Sequence, residues 1–258
     1  MNTYTLILTG TIMPARNASV THRNQVSRRQ EYVNALLWWL DQVRLLNSRE
    51  EIVKRILFVE NSGADLTSFY DDVQRAGRPF TERLECVSAP SLPIPEGYHY
   101  GWGEWKMIAH AMDEVSIGTT HVIKATGRLT FTNVQGLIRR LPAEYRIAVD
   151  SRSRNSEERF SPTQLFLAET EFYDTYLRNL YQEMTADNQR NHYIENLVYD
   201  TLIQLPADVR DKVVMRWPVN CDPVGIEGTT GRSYRRASKR IASALRGTAR
   251  VVAPQFWF

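Results

Sequence analysis

"FVENSGADL", residues 58–66, decides how the chain is read. An apolar run from Ile56 to Val59 stops at Glu60-Asn61-Ser62-Gly63, and a helical pattern starts near Asp65. A β-rich run that ends in turn formers directly before a helix reads as a strand–turn–helix unit. Two purposes fit such an end. Asn, Ser and Gly make an ordinary turn; the same residues can wall a pocket, offering amide, hydroxyl and backbone N–H groups to a polar ligand.

Outward from this stretch the alternation repeats. Strands are expected at 3–10, 55–60, 83–89, 120–125, 145–150 and 212–217. Helices are expected at 26–46, 65–76, 104–115, 133–141, 163–184 and 188–204. In the first helix Val33, Leu36, Leu37, Leu40, Val43 and Leu46 recur at near-helical spacing. Strands separated by helices predict an α/β fold: one Rossmann-like domain, its mostly parallel sheet covered by helices on both faces. The expected division is a domain over 1–231 and a basic tail over 232–258.

A composition of 43% hydrophobic and 24% charged residues over 258 positions suits a globular chain with a sizeable core. Cys86 and Cys221 lie far apart, with neither disulfide-scaffold nor metal spacing, which fits a reducing cytoplasm. "MNTYTLILTGTIMP" has no basic leader, and no apolar run is long enough to span a bilayer.

The net charge of +3 is unevenly spread. Residues 232–258 hold seven basic side chains and no acidic one, leaving 25 basic against 29 acidic elsewhere. On a helix Tyr234, Ala237, Ile241, Ala244 and Leu245 share one side, with Arg235, Arg236, Lys239 and Arg240 largely on others. Phe256, Trp257 and Phe258 close the chain. This pattern suits an anionic membrane surface, which places the protein in the cytoplasm or at the inner face of the cell membrane. A solvated basic helix or an arm on a partner subunit fits as well. The aromatics are not interleaved with the basic residues as in single-strand binders, so no nucleic acid is expected.

In parallel sheets ligands bind beyond the carboxyl ends of the strands. Four polar clusters are expected there: Thr9, Gly10 and Thr11; Asn61, Ser62 and Gly63; Thr126, Gly127 and Arg128; and Asp150 with Ser151 and Arg152. Together they suit a sugar or nucleotide diphosphate, since guanidinium forks match phosphate oxygens and Gly admits close backbone approach. Each cluster alone also suits a plain turn.

At this point the chain resembles a family. "LILTGTIMP", "FVENSG", "GWGE" at a helix start, "KATGR" and a later "ENL", in that order, are similar to small bacterial GT-A-type glycosyltransferases of surface-polysaccharide (capsule or lipopolysaccharide) biosynthesis. The resemblance covers roughly the first 200 residues and implies a GT-A-like nucleotide-sugar-binding domain. It implies transfer of a sugar from a nucleotide-activated donor to a growing glycan or lipid-linked acceptor. It places Thr9, Gly10 and Thr11 near the donor nucleotide, and Asn61, Ser62 and Asp65 near base and ribose. Gly101, Gly103 and Glu104 shape the helix start beside the donor.

Thr126, Gly127 and Arg128 stand where many such enzymes carry an Asp-x-Asp metal site, and no Asp-x-Asp occurs in this chain. Neutralisation of the leaving phosphate then falls to Lys124, Arg128, Arg152 or Arg159. A divalent cation stays an option, with Asp150 as one ligand, but metal independence is the expectation. Proton transfer from an acceptor hydroxyl needs a carboxylate or His. Asp150, at a strand end, and Glu195, in the helical "HYIENLVYDTL", are the two candidates. A solvated helix position is the plainer reading of Glu195. A nucleotidyl- or phosphosugar-transferase, or a non-catalytic nucleotide- or sugar-binding assembly protein, would use the same platform. In the loop 90–103, Tyr98, His99, Tyr100 and Trp102 either pack or touch a sugar.

Overall fold

The structure, a computed structural model, describes residues 2–14, 24–78, 81–96, 98, 101–114, 119–153, 159–184, 193–227, 231–234 and 237–252. Of the positions singled out above, His99, Tyr100, Arg235, Arg236 and the aromatics at 256–258 lie outside these.

In chain order the first elements are β1 (Tyr4–Gly10), α1 (Gln25–Leu46), β2 (Val53–Glu60), α2 (Leu66–Arg75), β3 (Leu84–Ser88), α3 (Gly101–Glu114) and β4 (His121–Thr126). Next come β5 (Thr130–Phe131), α4 (Val134–Arg140), β6 (Ile147–Ala148), β7 (Arg152–Ser153), β8 (Arg159–Phe160) and β9 (Leu165–Glu169). The chain continues through α5 (Thr170–Phe172), α6 (Ile194–Gln204), α7 (Ala207–Arg210), β10 (Val213–Val214), β11 (Pro223–Val224) and α8 (Ala237–Val252).

Seven strands make the central sheet, ordered β10-β6-β9-β4-β1-β2-β3. All run parallel to one another except β9, which is antiparallel to both β4 and β6. The α/β class with a mainly parallel sheet is therefore the observed one. β1 is buried along its whole length because both faces are covered. Alternation sorts its side chains. Leu6 and Leu8 join Phe58, Ile123 and Leu165 in a core with Leu36, Trp39 and Leu40 of α1, Phe69 of α2 and Leu137 of α4. Ile7 faces the other way, with Leu57, Val122 and Phe166, into a core with Trp105 and Ile108 of α3 and Leu202 of α6.

One element differs in kind from expectation. The helix expected over 163–184 begins as strand β9, followed by helical turns from Thr170 to Glu183. Leu165, Phe166, Leu167 and Ala168 are all buried, two facing each core. A short continuous apolar run reads equally as buried helix or buried strand, and the vacancy between β4 and β6 settles it as strand. The expected strands at 145–150 and 212–217 shrink to Ile147–Ala148 and Val213–Val214.

The C-terminal part is held to the domain. Asp222 pairs with Arg246 at 3.0 Å and accepts from Ser243, while Asn220 donates to the Ser243 carbonyl at 3.0 Å. Tyr234 precedes α8 rather than lying on it, and packs against the α1-side core. Across the boundary expected after residue 231, Ile226 bridges Ser233 and Tyr234 N–H bonds the Gly225 carbonyl at 3.0 Å. Among the described residues no helix is long and apolar enough to cross a membrane.

Candidate active site

Strand order reverses between β1 and β4: from β1 the chain builds outward to β2 and β3, then returns to place β4 on the other side. A crevice opens at such a switch point, beyond the carboxyl ends of the strands. Parallel pairing brings Thr9 opposite Thr126 and Gly10 opposite Glu60. Asp150 follows β6, which is antiparallel to β9 as β4 is, so Asp150 lies at the same rim two strands away. The four polar clusters thus share one edge.

At the centre stands Glu104, in the first turn of α3. Its Oε1 accepts from Thr9 Oγ1 at 2.8 Å, Lys124 Nζ at 2.7 Å and Thr126 Oγ1 at 3.1 Å. The period of two explains the convergence, because Thr9, Lys124 and Thr126 share the α3 face with Ile7 and Val122. The Lys124 side chain is 0% exposed and its ammonium also donates to the Thr163 carbonyl at 2.7 Å. A lysine buried this deeply requires a carboxylate partner and hydrogen-bond acceptors. Burial by itself would raise the Glu104 carboxyl, but the Lys124 charge and the three donors outweigh it and hold the group below the usual carboxylate range.

Glu195, in the first turn of α6, is half-buried beside this pair. Its Oε1 accepts from Thr163 Oγ1 at 3.4 Å, so Thr163 links it to Lys124. Burial, with the Glu104 charge adding to it, pushes the Glu195 carboxyl above its ordinary value. Two glutamates displaced in opposite directions divide into a fixed anion and a group able to exchange a proton.

Glu60 organises the second wall. It is 0% exposed and accepts from Ile12 N at 2.9 Å, Ser62 N at 2.8 Å, Ala64 N at 3.3 Å and the Ser62 hydroxyl. Ser62 Oγ in turn accepts from Met13 N at 2.8 Å, and Thr11 Oγ1 donates to Asn61 Oδ1 at 2.8 Å. The loops after β1 and β2 are thereby stapled into one surface. Asn61 Nδ2 lies close to Gly103, where a Cβ would come within 3.7 Å of it. Gly10 and Gly127 have a packing reason independent of any ligand. A Cβ on Gly10 would sit 2.6 Å from Phe58 Cζ, and one on Gly127 2.8 Å from the Thr9 carbonyl oxygen.

The remaining predicted residues make other contacts. Asp65 is exposed and caps α2, accepting from Ser68 N at 3.1 Å. Arg128 donates to the Ile226 carbonyl and lies 3.9 Å from Glu31. Asp150 accepts from Trp217 N at 3.3 Å, and Arg159 is exposed on β8. Sequence reasoning missed Glu60 and took Glu104 and Lys124 singly; the signal for their pairing was a lysine inside the apolar strand "HVIKAT".

The cation that a GT-A-type site implies does not fit the residues at the end of β4. Thr126, Gly127 and Arg128 supply no carboxylate, and among the described residues no group of three or more His, Cys, Asp or Glu is placed to hold a metal ion.

No protein-family model matches the chain, and no curated protein matches it. Among solved structures it is similar to the glycosyltransferase GlyE of Streptococcus pneumoniae TIGR4, at 10% identity and a TM-score of 0.45, covering 83% of this chain and 45% of that one. It is also similar to the galactosyltransferase LgtC in complex with donor and acceptor sugar analogues, at 7% identity and a TM-score of 0.46, covering 81% and 72%. The inositol-1-phosphate CTP transferase of T. maritima matches at 10% identity and a TM-score of 0.44, covering 98% and 97%. The chain thus spans under half the length of GlyE. Fold likeness of this degree does not carry function, which has to come from the site itself.

Proposed function

We propose that this chain is a glycosyltransferase that moves a sugar from a nucleotide-activated donor to a hydroxyl of a growing surface glycan or lipid-linked acceptor. The observation that carries this reading is the buried Lys124–Glu104 ion pair at the switch point between β1 and β4, joined through Thr163 to Glu195, with the two carboxyls displaced in opposite directions. In this reading the stapled loops bearing Thr11, Asn61 and Ser62 take the nucleotide, and Lys124 with Glu104 fixes the floor under the reacting carbon. The acceptor oxygen bonds to the anomeric carbon, the bond from that carbon to the donor's phosphate oxygen breaks, and the nucleotide departs. The acceptor's proton passes to Glu195, and Asp150 lines the acceptor side of the rim.

The first test is a thermal-shift screen of UDP-, GDP-, CMP- and dTDP-sugars. One of them at a concentration 100 times its Kd is expected to stabilise the fold by about 2.7 kcal/mol, a clear rise in melting temperature. No shift with any of them sinks the reading. Stabilisation by a nucleoside triphosphate, with pyrophosphate released on adding a sugar phosphate, would assign the site to nucleotidyl transfer instead.

A position at the cytoplasmic membrane face belongs to the same proposal. Support comes from α8, which docks through Ser243 and Arg246 and leaves Ile241 and Leu245 each 62% exposed and Val252 77% exposed. These three share a helical face within a segment that carries no acidic residue. The full chain is expected to sediment with phosphatidylglycerol-rich vesicles and to be released as salt rises. The double variant Ile241→Glu with Leu245→Glu should stay in the supernatant. Equal sedimentation of both proteins would remove the membrane claim.

A further inference from the structure

We infer that Tyr234 is a positioning residue of the site, acting through Gln164 and Thr163 on Glu195. Residues 223–227 and 231–234 form a strap bonded to β5 and to the end of β4. β11 pairs antiparallel with β5, placing Pro223 opposite Phe131 and Val224 opposite Thr130. Glu227 N–H bonds the Arg232 carbonyl at 2.9 Å, Ile226 bridges Ser233, and Tyr234 N–H bonds the Gly225 carbonyl at 3.0 Å. Arg128, just beyond β4, donates to the Ile226 carbonyl and ties the strap to the strand end that carries Thr126. The Tyr234 ring packs on the core, and its hydroxyl is hydrogen-bonded to the Gln164 side chain. Burial pushes this phenol up to about 12, so it stays neutral under working conditions.

Gln164 and Thr163 are the dipeptide that grips the reacting groups from the β9 side. The Gln164 carbonyl accepts from Thr126 N at 2.9 Å. The Thr163 carbonyl accepts from Lys124 Nζ at 2.7 Å, and its hydroxyl donates to Glu195 at 3.4 Å. One side chain from a strap near the chain's end therefore fixes the segment on which both Lys124 and Glu195 depend. A loosened Gln164 would let Thr163 drift and admit water beside Glu195, and displacements of an ångström in a reacting constellation are costly.

The kinetic test rests on the transferase reading; the titration test does not. In the full chain, Tyr234→Phe keeps the ring and its packing but removes the hydroxyl. It is expected to lower kcat about tenfold with the donor KM little changed, the pattern of a supporting residue. Gln164→Ala should do the same, and the double variant should be no worse than either single one, because both break the same link. In glutamate-13C-labelled protein, with the Glu195 resonance assigned through Glu195→Gln, the Glu195 midpoint should fall towards the ordinary value in both single variants. Additive losses, or an unmoved Glu195 midpoint in folded Tyr234→Phe or Gln164→Ala protein, would overturn the inference. If no nucleotide sugar is turned over, the transferase reading fails and the titration alone decides on Tyr234.

Discussion

Glu195→Gln is expected to lower turnover by about 10²- to 10⁴-fold, the usual contribution of a positioned general base. The amide keeps the shape and can still receive the Thr163 hydroxyl, but it cannot take a proton. Donor affinity, read by the thermal shift, should change little, because the stapled loops at Thr11, Asn61 and Ser62 are untouched. The pH profile adds a second reading. Burial raises the Glu195 carboxyl, so the active, ionised form accumulates only above the ordinary glutamate range. Wild-type activity should therefore rise with pH along a limb displaced upward, and that limb should vanish in the residual activity of the variant. Turnover in Glu195→Gln within about threefold of wild type would assign the proton transfer elsewhere, Asp150 being the next carboxylate at the rim.

The same residue shows how far the sequence could be read. In the sequence Glu195 is a candidate from its place in a late helix, with a solvated helix position as the plainer alternative. What separates the two is Thr163, thirty-two residues away, whose hydroxyl meets the carboxylate. Local pattern does place the rim, because strand direction follows from alternating strands and helices, and every parallel strand sends its carboxyl end to one side. It also places β1, β2, β4 and α1 to within a few residues, since α1 has a helical period and the apolar runs of the strands stop at Gly or Asn. It does not place β9, whose apolar run carries no period and is decided by the gap it fills. Nor does it show that Glu60 turns inward, because a glutamate at a strand end is polar whether it serves solvent or four backbone and side-chain donors. Lys124 is the most informative of these residues. A strand buried on both faces has no solvent for an ammonium, so the alternation that puts Lys124 on the α3 side also predicts an acid on α3.

That pairing leads to the second large effect. Glu104→Gln should destabilise the fold by about 3 kcal/mol, at the low end for breaking a buried ion pair because the Glu104 side chain keeps 31% exposure. The variant leaves Lys124 Nζ buried with neutral acceptors, the Thr163 carbonyl and the new amide oxygen, and no counter-charge. For a chain of this size the loss corresponds to a fall in melting temperature on the order of 10 °C. Adding Lys124→Met removes the stranded charge, so the double variant should regain part of the stability, a recovery that independent losses would not give. The sign of the pH dependence is fixed by the direction of the shift. Glu104 is held below its ordinary value in the folded chain, so its stabilisation is fully present above the unfolded glutamate pKa of about 4.3 and is lost as pH falls through the folded value. The gap in unfolding free energy between wild type and Glu104→Gln should therefore narrow on acidification below about pH 4. Glu195 works the other way: its raised carboxyl makes ionisation cost stability as pH climbs from the ordinary glutamate range through the folded value, so Glu195→Gln should lose least at neutral pH. Urea titrations of the three proteins at several pH values measure both slopes. A constant gap for Glu104→Gln from neutral to acid pH would mean that the carboxylate's charge, and with it the Lys124 pairing, contributes nothing to holding the rim together.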